Sequence, residues 1–240
     1  MLSFKLKTWN AYAPSLESID SWGNWLNDKN QSSEKQRNPS LKKLPLMLRR
    51  RFSAIGKCAV EASMPMLAEG QHIPLVFASR HGDVGLTLSL LESIAKNEPL
   101  SPTSFSLAVH NAVSGLLSIA RKDPSETTAI AATENLIPLA LLEAASQLQV
   151  HDQVLCIICD MPLPDLYKPF ADSPLFPYAI AIVLSRQEGE TLSLENQPLN
   201  KSTSSPQDDE LKELIALLCH QSSTAHFLNK QLNTEWIIKR

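Results

Sequence analysis

Apolar residues along this chain fall into short continuous runs of strand length, separated by stretches in which they recur every three to four positions. A continuous run bounded by turn residues is the pattern of a strand buried on both faces, and the longer period marks one face of a helix. Ile73–Ser79, Gln153–Cys159 and Tyr178–Ser185 are the clearest strands. Ser3–Ala13 alternates more loosely, ends at Pro14 and predicts another. Helices are predicted over Ser15–Leu26 behind a serine cap, over Leu46–Leu67 with Pro65 in its last turn, and over Val84–Ala95 capped by Asp83, its apolar side carrying Leu86, Leu90 and Leu91. Two more follow over Val109–Ala120, where Gly115 is expected to admit another backbone, and over Leu136–Leu148, which tolerates Pro138 in its first turn.

Thr127–Ala131 reads as a strand between those two helices, and Thr191–Leu194 as a strand hairpinning back after Gln187, Glu188 and Gly189. Glu210–His220 is a short amphipathic helix and Glu235–Lys239 a final edge strand. Alternating strands and helices predict an α/β fold, a layered mixed sheet with helices on both faces. A single domain over residues 1–240 is expected, with polar connections near 27–40 and 199–209.

Composition narrows the function classes. With 240 residues, 43% of them hydrophobic, the chain can bury a real core; a formal charge of -3 gives no global electrostatic reason to bind nucleic acid or an anionic membrane. No apolar run approaches the roughly 20 residues that span a bilayer, and MLSFKLKTWNAYAP lacks the apolar core and cleavage site of a secretory signal, so a cytoplasmic location is expected. Cys58, Cys156, Cys159 and Cys219 are widely scattered, as reduced core thiols would be. Cys156 and Cys159 have redox or metal spacing, but in a strand residues three apart face opposite ways, and no second pair completes a zinc site.

No GxSxG elbow, GxGxxG fingerprint or Walker loop is present. His81 and His110 sit where loops meet helices, and His220 and His226 are expected to be solvated. Arg49, Arg50 and Arg51 form a basic cluster that reads equally as a docking patch for an acidic partner and as a solvated helix end.

The stretch from Leu100 to Glu134 carries a resemblance. A loop with Pro102, Thr103 and Ser104 leads to Asn111–Ile119 (NAVSGLLSI), the strand Thr127–Thr133 and the helix from Asn135, while Ser79–Gly82 (SRHG) is similar to a glycine-rich loop after an earlier strand. This order resembles the N-terminal half of β-ketoacyl synthases, the thiolase-fold condensing enzymes. Counted without gaps from Asn111, the family's nucleophilic cysteine falls on Glu134. A carboxylate is a poor substitute, because its acyl product would be a labile mixed anhydride. The family also uses two histidines from its C-terminal half, and neither motif occurs after Leu163.

More narrowly, the chain resembles the half-length ketosynthase-like proteins of bacterial aryl polyene gene clusters. The shared stretches are Trp9–Pro14, Trp22–Trp25, Leu44–Ser53, Phe77–Asp83 and Leu100–Ser106. The resemblance spans Phe4 to Ser185, and the tail from Gln187 contributes nothing to it. What it implies is a chain length factor: a non-catalytic subunit without cofactor or metal, in a heterodimer with an active ketosynthase and meeting acyl carrier protein through that complex. Nucleic acid and a membrane span are not expected.

By the same resemblance, the strand Thr127–Thr133 pairs across the dimer axis. His81, Val84, Leu88, Phe105, Val109, His110, Asn111, Thr127, Ile130, Thr133 and Glu134 would lie at the interface or border the partner's tunnel, with Val84 and Leu88 as stops for the growing chain. Glu134 would fill the vacated nucleophile site, accepting from helix amides or pairing with Arg80. The rival expectation is a free-standing acyltransferase or malonyl decarboxylase using Glu134 with His110 or His81.

Overall fold

Strand β1 (Leu2–Tyr12) runs through the middle of the molecule because its two ends serve different neighbours. Leu2–Leu6 pairs with β6 (Glu190–Pro198), and Lys5–Tyr12 pairs with β5 (Tyr178–Ser185) across a bulge between Leu6 and Thr8. Gly189, at φ 113°, turns the chain against that bulge; a Cβ there would lie 2.1 Å from the carbonyl oxygen of Leu6. The hairpin expected between Tyr178–Ser185 and Thr191–Leu194 therefore does not form, since β1 inserts between them. The computed structural model describes residues 1–27, 39, 41, 44–199 and 209–240, so most of both expected polar connections lies outside the described residues.

The remaining elements are α1 (Ile19–Asn27), α2 (Leu46–Arg49), α3 (Ala54–Ser63), β2 (Leu75–Ala78), α4 (Val84–Ala95), α5 (Pro102–Leu107), α6 (Ala112–Arg121), β3 (Thr127–Ile130), α7 (Leu136–Gln147), β4 (Gln153–Asp160), α8 (Glu210–Leu218), β7 (Thr224–Asn229) and β8 (Thr234–Lys239). The eight strands among the described residues form one mixed sheet in the order β3-β2-β4-β5-β1-β6-β8-β7, with β2 parallel to β3 and β4 and the other pairs antiparallel.

Alternate residues of the central strands feed two cores. Val76, Cys156, Ile158 and Ile182 pack with α7 and α8 on one face; Phe77, Leu155, Ile157 and Cys159 pack with α3 and α6 on the other. Cys156 and Cys159 thus do point to opposite faces. Burial pushes both thiols above the ordinary range, so they are inert core residues.

Several expected boundaries move for local reasons. The first helix starts at Ile19 rather than Ser15, because Ser15 takes φ 70° in a tight turn that pairs Ala13 with Leu16, and Ser18 then accepts from Ser21 N–H. The helix expected over Leu46–Leu67 breaks at the arginine run into α2 and α3, letting Phe52 turn into the core; a 3-10 turn at Met64–Met66 follows at Pro65. The loop read at Pro102–Ser104 is helix α5, capped by Ser101, and the helix expected from Val109 begins at Ala112. Gly115 meets nothing within 4 Å, so its expected role in close packing is absent from this chain's own fold.

The C-terminal strands differ most. β8 is internal, and the edge is β7, which the sequence pattern does not flag. The first and last strands of the order nevertheless approach each other: Asn135 Nδ2, just beyond β3, donates to the carbonyl of Leu228 in β7 at 3.1 Å. In a flat sheet seven spacings of about 4.8 Å would separate them. The β6-β8-β7 part therefore curls over α7 and α8, enclosing them.

Candidate functional site

Three features converge at the C-terminal ends of the parallel strands. β2 ends in Ser79–Gly82, β3 leads through Thr133 and Glu134 into α7, and β4 ends at Asp160. Asp160 is the hub: its Oδ1 accepts from Ser79 Oγ at 3.0 Å and from Arg80 N–H at 2.7 Å, and Ser79 Oγ in turn accepts from Gly82 N–H at 2.8 Å. Burial raises the Asp160 carboxyl above the ordinary aspartate range, partly offset by those hydrogen bonds and by the Arg80 charge.

Gly82 is required by its φ of 63° and by the His110 ring, whose Nδ1 lies 3.0 Å from where a Cβ would stand. His110 Nε2 donates to the carbonyl of Ile130 at 2.7 Å, fixing the ring between β3 and the Gly82 turn in a T-shaped contact with Phe77. His81 points away from His110, its Nε2 bonding the carbonyl of Asp172 at 3.0 Å in the long loop after β4. The two histidines thus serve different loops.

The start of α7 is held by a residue absent from the sequence-based expectations. Glu210, opening α8, accepts from Asn135 N–H at 2.7 Å and Ile137 N–H at 3.2 Å, and its Oε1 lies 3.7 Å from the Arg80 guanidinium. Burial raises its carboxyl too, against the pull of those amides and of Arg80. The role expected of Glu134, as acceptor for helix amides and partner of Arg80, is therefore taken by Glu210. Glu134 is half-buried, and its Oε2 is closed off without a hydrogen-bond partner. Asn135 adopts the left-handed conformation at φ 55°, which asparagine tolerates, and that turn places Glu134 just outside the helix. No local signal in the sequence joins Glu210 to residues 75 positions away; Asp160, a lone charge closing an apolar run, was legible in principle.

Two cavities of about 200 Å³ each lie here. One, polar, is lined by Arg80, Thr133, Glu134, Asp172, Glu210 and His226 among others. The other is largely apolar, with Phe52, Phe77, Leu86, Leu107 and Leu116 in its wall beside Val109, His110 and Asp83. The expected site residues accordingly separate: Val109 and His110 border the apolar cavity, Thr133 and Glu134 the polar one. On α4, Leu86 lines the apolar cavity, whereas Val84 and Leu88 line neither. Phe105, Asn111 and Thr127 are exposed and Ile130 half-buried. His226, expected to be solvated, is half-buried and bonds Glu235 at 2.8 Å. Among the described residues no cluster of His, Cys, Asp and Glu is arranged to hold a metal ion.

The surface around these cavities is unusually apolar for its exposure. Neither α4 nor α5 has a buried residue, although α4 carries Val84, Leu86, Leu88, Leu90, Leu91 and Ile94. Phe105 and Val109 are 63% and 54% exposed. Adjacent β3 is a sheet edge without a charged residue. Exposed apolar side chains and an uncovered strand edge are features that protein interfaces bury.

The sequence matches the β-ketoacyl synthase, N-terminal domain family over residues 22–239. That match includes the tail beyond Gln187, so the family likeness extends past the Phe4–Ser185 stretch expected to carry it. Among solved structures, a chain of a ketosynthase (ApeO) in complex with its chain length factor (ApeC) from Xenorhabdus doucetiae aligns with TM-score 0.83 and 25% identity, covering 100% of both chains. The ishigamide ketosynthase/chain length factor aligns at 0.66 and 12%, covering 84% of this chain and 69% of that one. A β-ketoacyl synthase from Burkholderia phymatum STM815 aligns at 0.60 and 10%, covering 93% and 71%. These two share the fold. No curated protein matches the sequence.

Proposed function

The chain belongs to the β-ketoacyl synthase N-terminal domain family, and we propose that within it this protein is a non-catalytic chain length factor, pairing with an active ketosynthase and shaping the far end of its acyl tunnel in aryl polyene-type biosynthesis. The observation that carries this reading is Glu134. The start of α7, where the family resemblance puts a nucleophilic cysteine, holds a carboxylate, and neither His81 nor His110 hydrogen-bonds to it. A carboxylate there cannot sustain a stable acyl-enzyme.

The likeness to a chain of the ApeO and ApeC complex, over 100% of this chain and of that one, supports the same reading. Of the two proteins in that complex, the chain length factor is the one whose role agrees with Glu134. The partner ketosynthase would meet β3 edge to edge and cover α4 and α5, with Thr127, Phe105 and Val109 in the contact. The apolar cavity beside His110 then extends the partner's tunnel, with Leu86 in its wall. Acyl carrier protein would reach this chain through the ketosynthase.

Co-expression with the neighbouring ketosynthase, followed by size exclusion and product mass analysis, tests the reading. Co-elution of the two chains, and products of altered length when Leu86 is enlarged to Trp, are expected. If the isolated chain turned over an acyl or malonyl carrier-protein thioester, and Glu134→Ala abolished that activity, the chain would be an enzyme and this reading would fall. Co-elution with unchanged product length would leave a purely stabilising subunit.

A further inference from the structure

Between Ser79, at the end of β2, and Val113, in α6, no residue from 80 to 112 is buried, although Leu86, Leu90, Leu91, Ile94, Phe105 and Leu107 lie in that stretch. Of these only Leu107 packs against a core cluster, and it is half-buried. The hydrogen bonds are equally local. Among the described residues, every side-chain hydrogen bond made by residues 83–108 closes inside the segment: Asp83 with Leu86 and Thr87, Ser89 with Leu86, Ser101 with Ser104, and Ser106 with Thr103. The turn after α4 also folds back on α4 alone, the N–H groups of Lys96, Asn97 and Glu98 donating to the carbonyls of Glu92, Ile94 and Ser93. Both ends of the segment are tied down. Gly82 N–H donates to Ser79 Oγ at 2.8 Å, and His110 Nε2 to the carbonyl of Ile130 at 2.7 Å.

The two helices of the segment, α4 and α5, have 12 and 6 residues. Isolated helices are marginal below about 12–15 residues, and in proteins they owe most of their stability to a packed face. Neither α4 nor α5 buries one here. Gly85, in the first turn of α4, lowers its helix propensity further. Local opening follows the density of buried contacts, so a segment with none, held between two fixed ends, opens by itself while the sheet stays closed. Leu86 and Leu107 nevertheless stand in the wall of the apolar cavity. That wall exists only while the helix pair is folded.

We infer that residues 83–108 fold on the ketosynthase. In the isolated chain they are locally unfolded between their anchors at Gly82 and His110; the partner covers the apolar face of α4, orders both helices and so completes the cavity wall. The inference rests on the chain length factor reading, because that reading supplies the partner. Its consequence is that the apolar cavity belongs to the complex and is absent from the chain alone.

Amide hydrogen exchange on the full chain, alone and in complex with the ketosynthase, tests this directly. Alone, the amides of α4 and α5 should exchange within about tenfold of the unstructured rate while β4, β5 and α7 stay protected, and in the complex α4 should slow at least about a hundredfold. Gly85→Ala gives a second, independent readout. A Cβ at Gly85 meets nothing closer than Asp83 Oδ1 at 3.8 Å, so the substitution acts through helix propensity. If the helix pair is unfolded alone, the variant should bind the ketosynthase about fourfold more tightly, because less of the binding free energy goes into ordering it, and the urea midpoint of the isolated chain should not move. A raised midpoint with unchanged affinity would overturn the inference. So would protection of α4 in the isolated chain equal to that of α7, or protection there that grows with concentration, which would make a second copy the cover. Exchange of α4 that stays fast in an intact complex would overturn it too. In each of these cases the two chains still co-elute and the chain length factor reading stands; failure to co-elute at all, seen by size exclusion, overturns both.

Discussion

Two glutamates at the mouth of α7 do opposite things. Glu210 satisfies two helix amides and faces Arg80, so Glu210→Ala should destabilise the chain by about 1–3 kcal/mol, read as a lower urea midpoint. Glu134→Ala removes a carboxylate oxygen with no partner and should leave the midpoint within about 0.5 kcal/mol of wild type. Asp160 adds a pH dependence. Its folded pKa is raised, so between the ordinary value of 3.8 and the raised one the native state holds more protons than the unfolded state, and Asp160 lowers stability progressively as pH rises through that window. Asp160→Asn keeps an acceptor for Ser79 and Arg80 but cannot titrate. The stability of wild type relative to this variant should therefore decline as pH rises above 3.8, measured by urea unfolding across pH. At this scale the position of Glu134 was legible from the family resemblance, counted from Asn111. Its environment was not, because the group that displaced it from α7 and Arg80 arrives from Glu210, on an element with no sequence mark of that contact.

The two edges of the sheet are treated differently. On β7 the outward groups are taken: His226 N–H donates to Glu213 Oε2 at 3.0 Å, and the Leu228 carbonyl accepts from Asn135. On β3 the ladder to β2 uses the carbonyls of Glu126 and Ile130, so the even-numbered residues face β2 while Thr127 and Ala129 present their backbone groups outward. Ala129→Pro removes one outward N–H without touching the β2 ladder, and proline is tolerated on an edge strand. The isolated variant should keep its circular dichroism spectrum and lose co-elution with the ketosynthase. Leu91→Arg, on the face of α4 that this chain leaves 49% exposed at that residue, should do the same. Retained co-elution of both variants would remove this surface from the interface. Periodicity found α4 and β3 but was blind to their exposure, since an apolar helix awaiting a partner has the same pattern as one already buried. It missed β7 because Thr224–Asn229 mixes polar and apolar residues on a strand that is covered by Glu213 and Asn135 rather than by a second strand.

The core around α7 is closed by the tail, which returns over that helix. Leu211, Leu214, Ile215, Leu218, Phe227 and Ile238, all from the last elements, are buried in the same core as Leu136, Ile137 and Leu141 of α7. At about 1.5–3 kcal/mol for each side chain buried, these six alone are worth as much as the roughly 5–15 kcal/mol by which a domain is stable. A chain cut after Leu199 should therefore fail to fold, and Phe227→Ala, which empties a site 1% exposed, should cost about 3–5 kcal/mol in urea unfolding. The tail also carries Glu210 and Glu213 to α7 and to the β7 edge, so its loss would disturb the Glu134 region and the closed edge together, while β3 lies at the other end of the strand order. This separates two kinds of failure. A tail variant that loses ketosynthase binding should do so in proportion to its unfolded fraction and recover binding at lower temperature, whereas Ala129→Pro should fail to bind at every temperature at which it is folded. If Phe227→Ala, while still folded, bound no better than Ala129→Pro, the β6-β8-β7 face would be part of the interface and not only the cover of its own core.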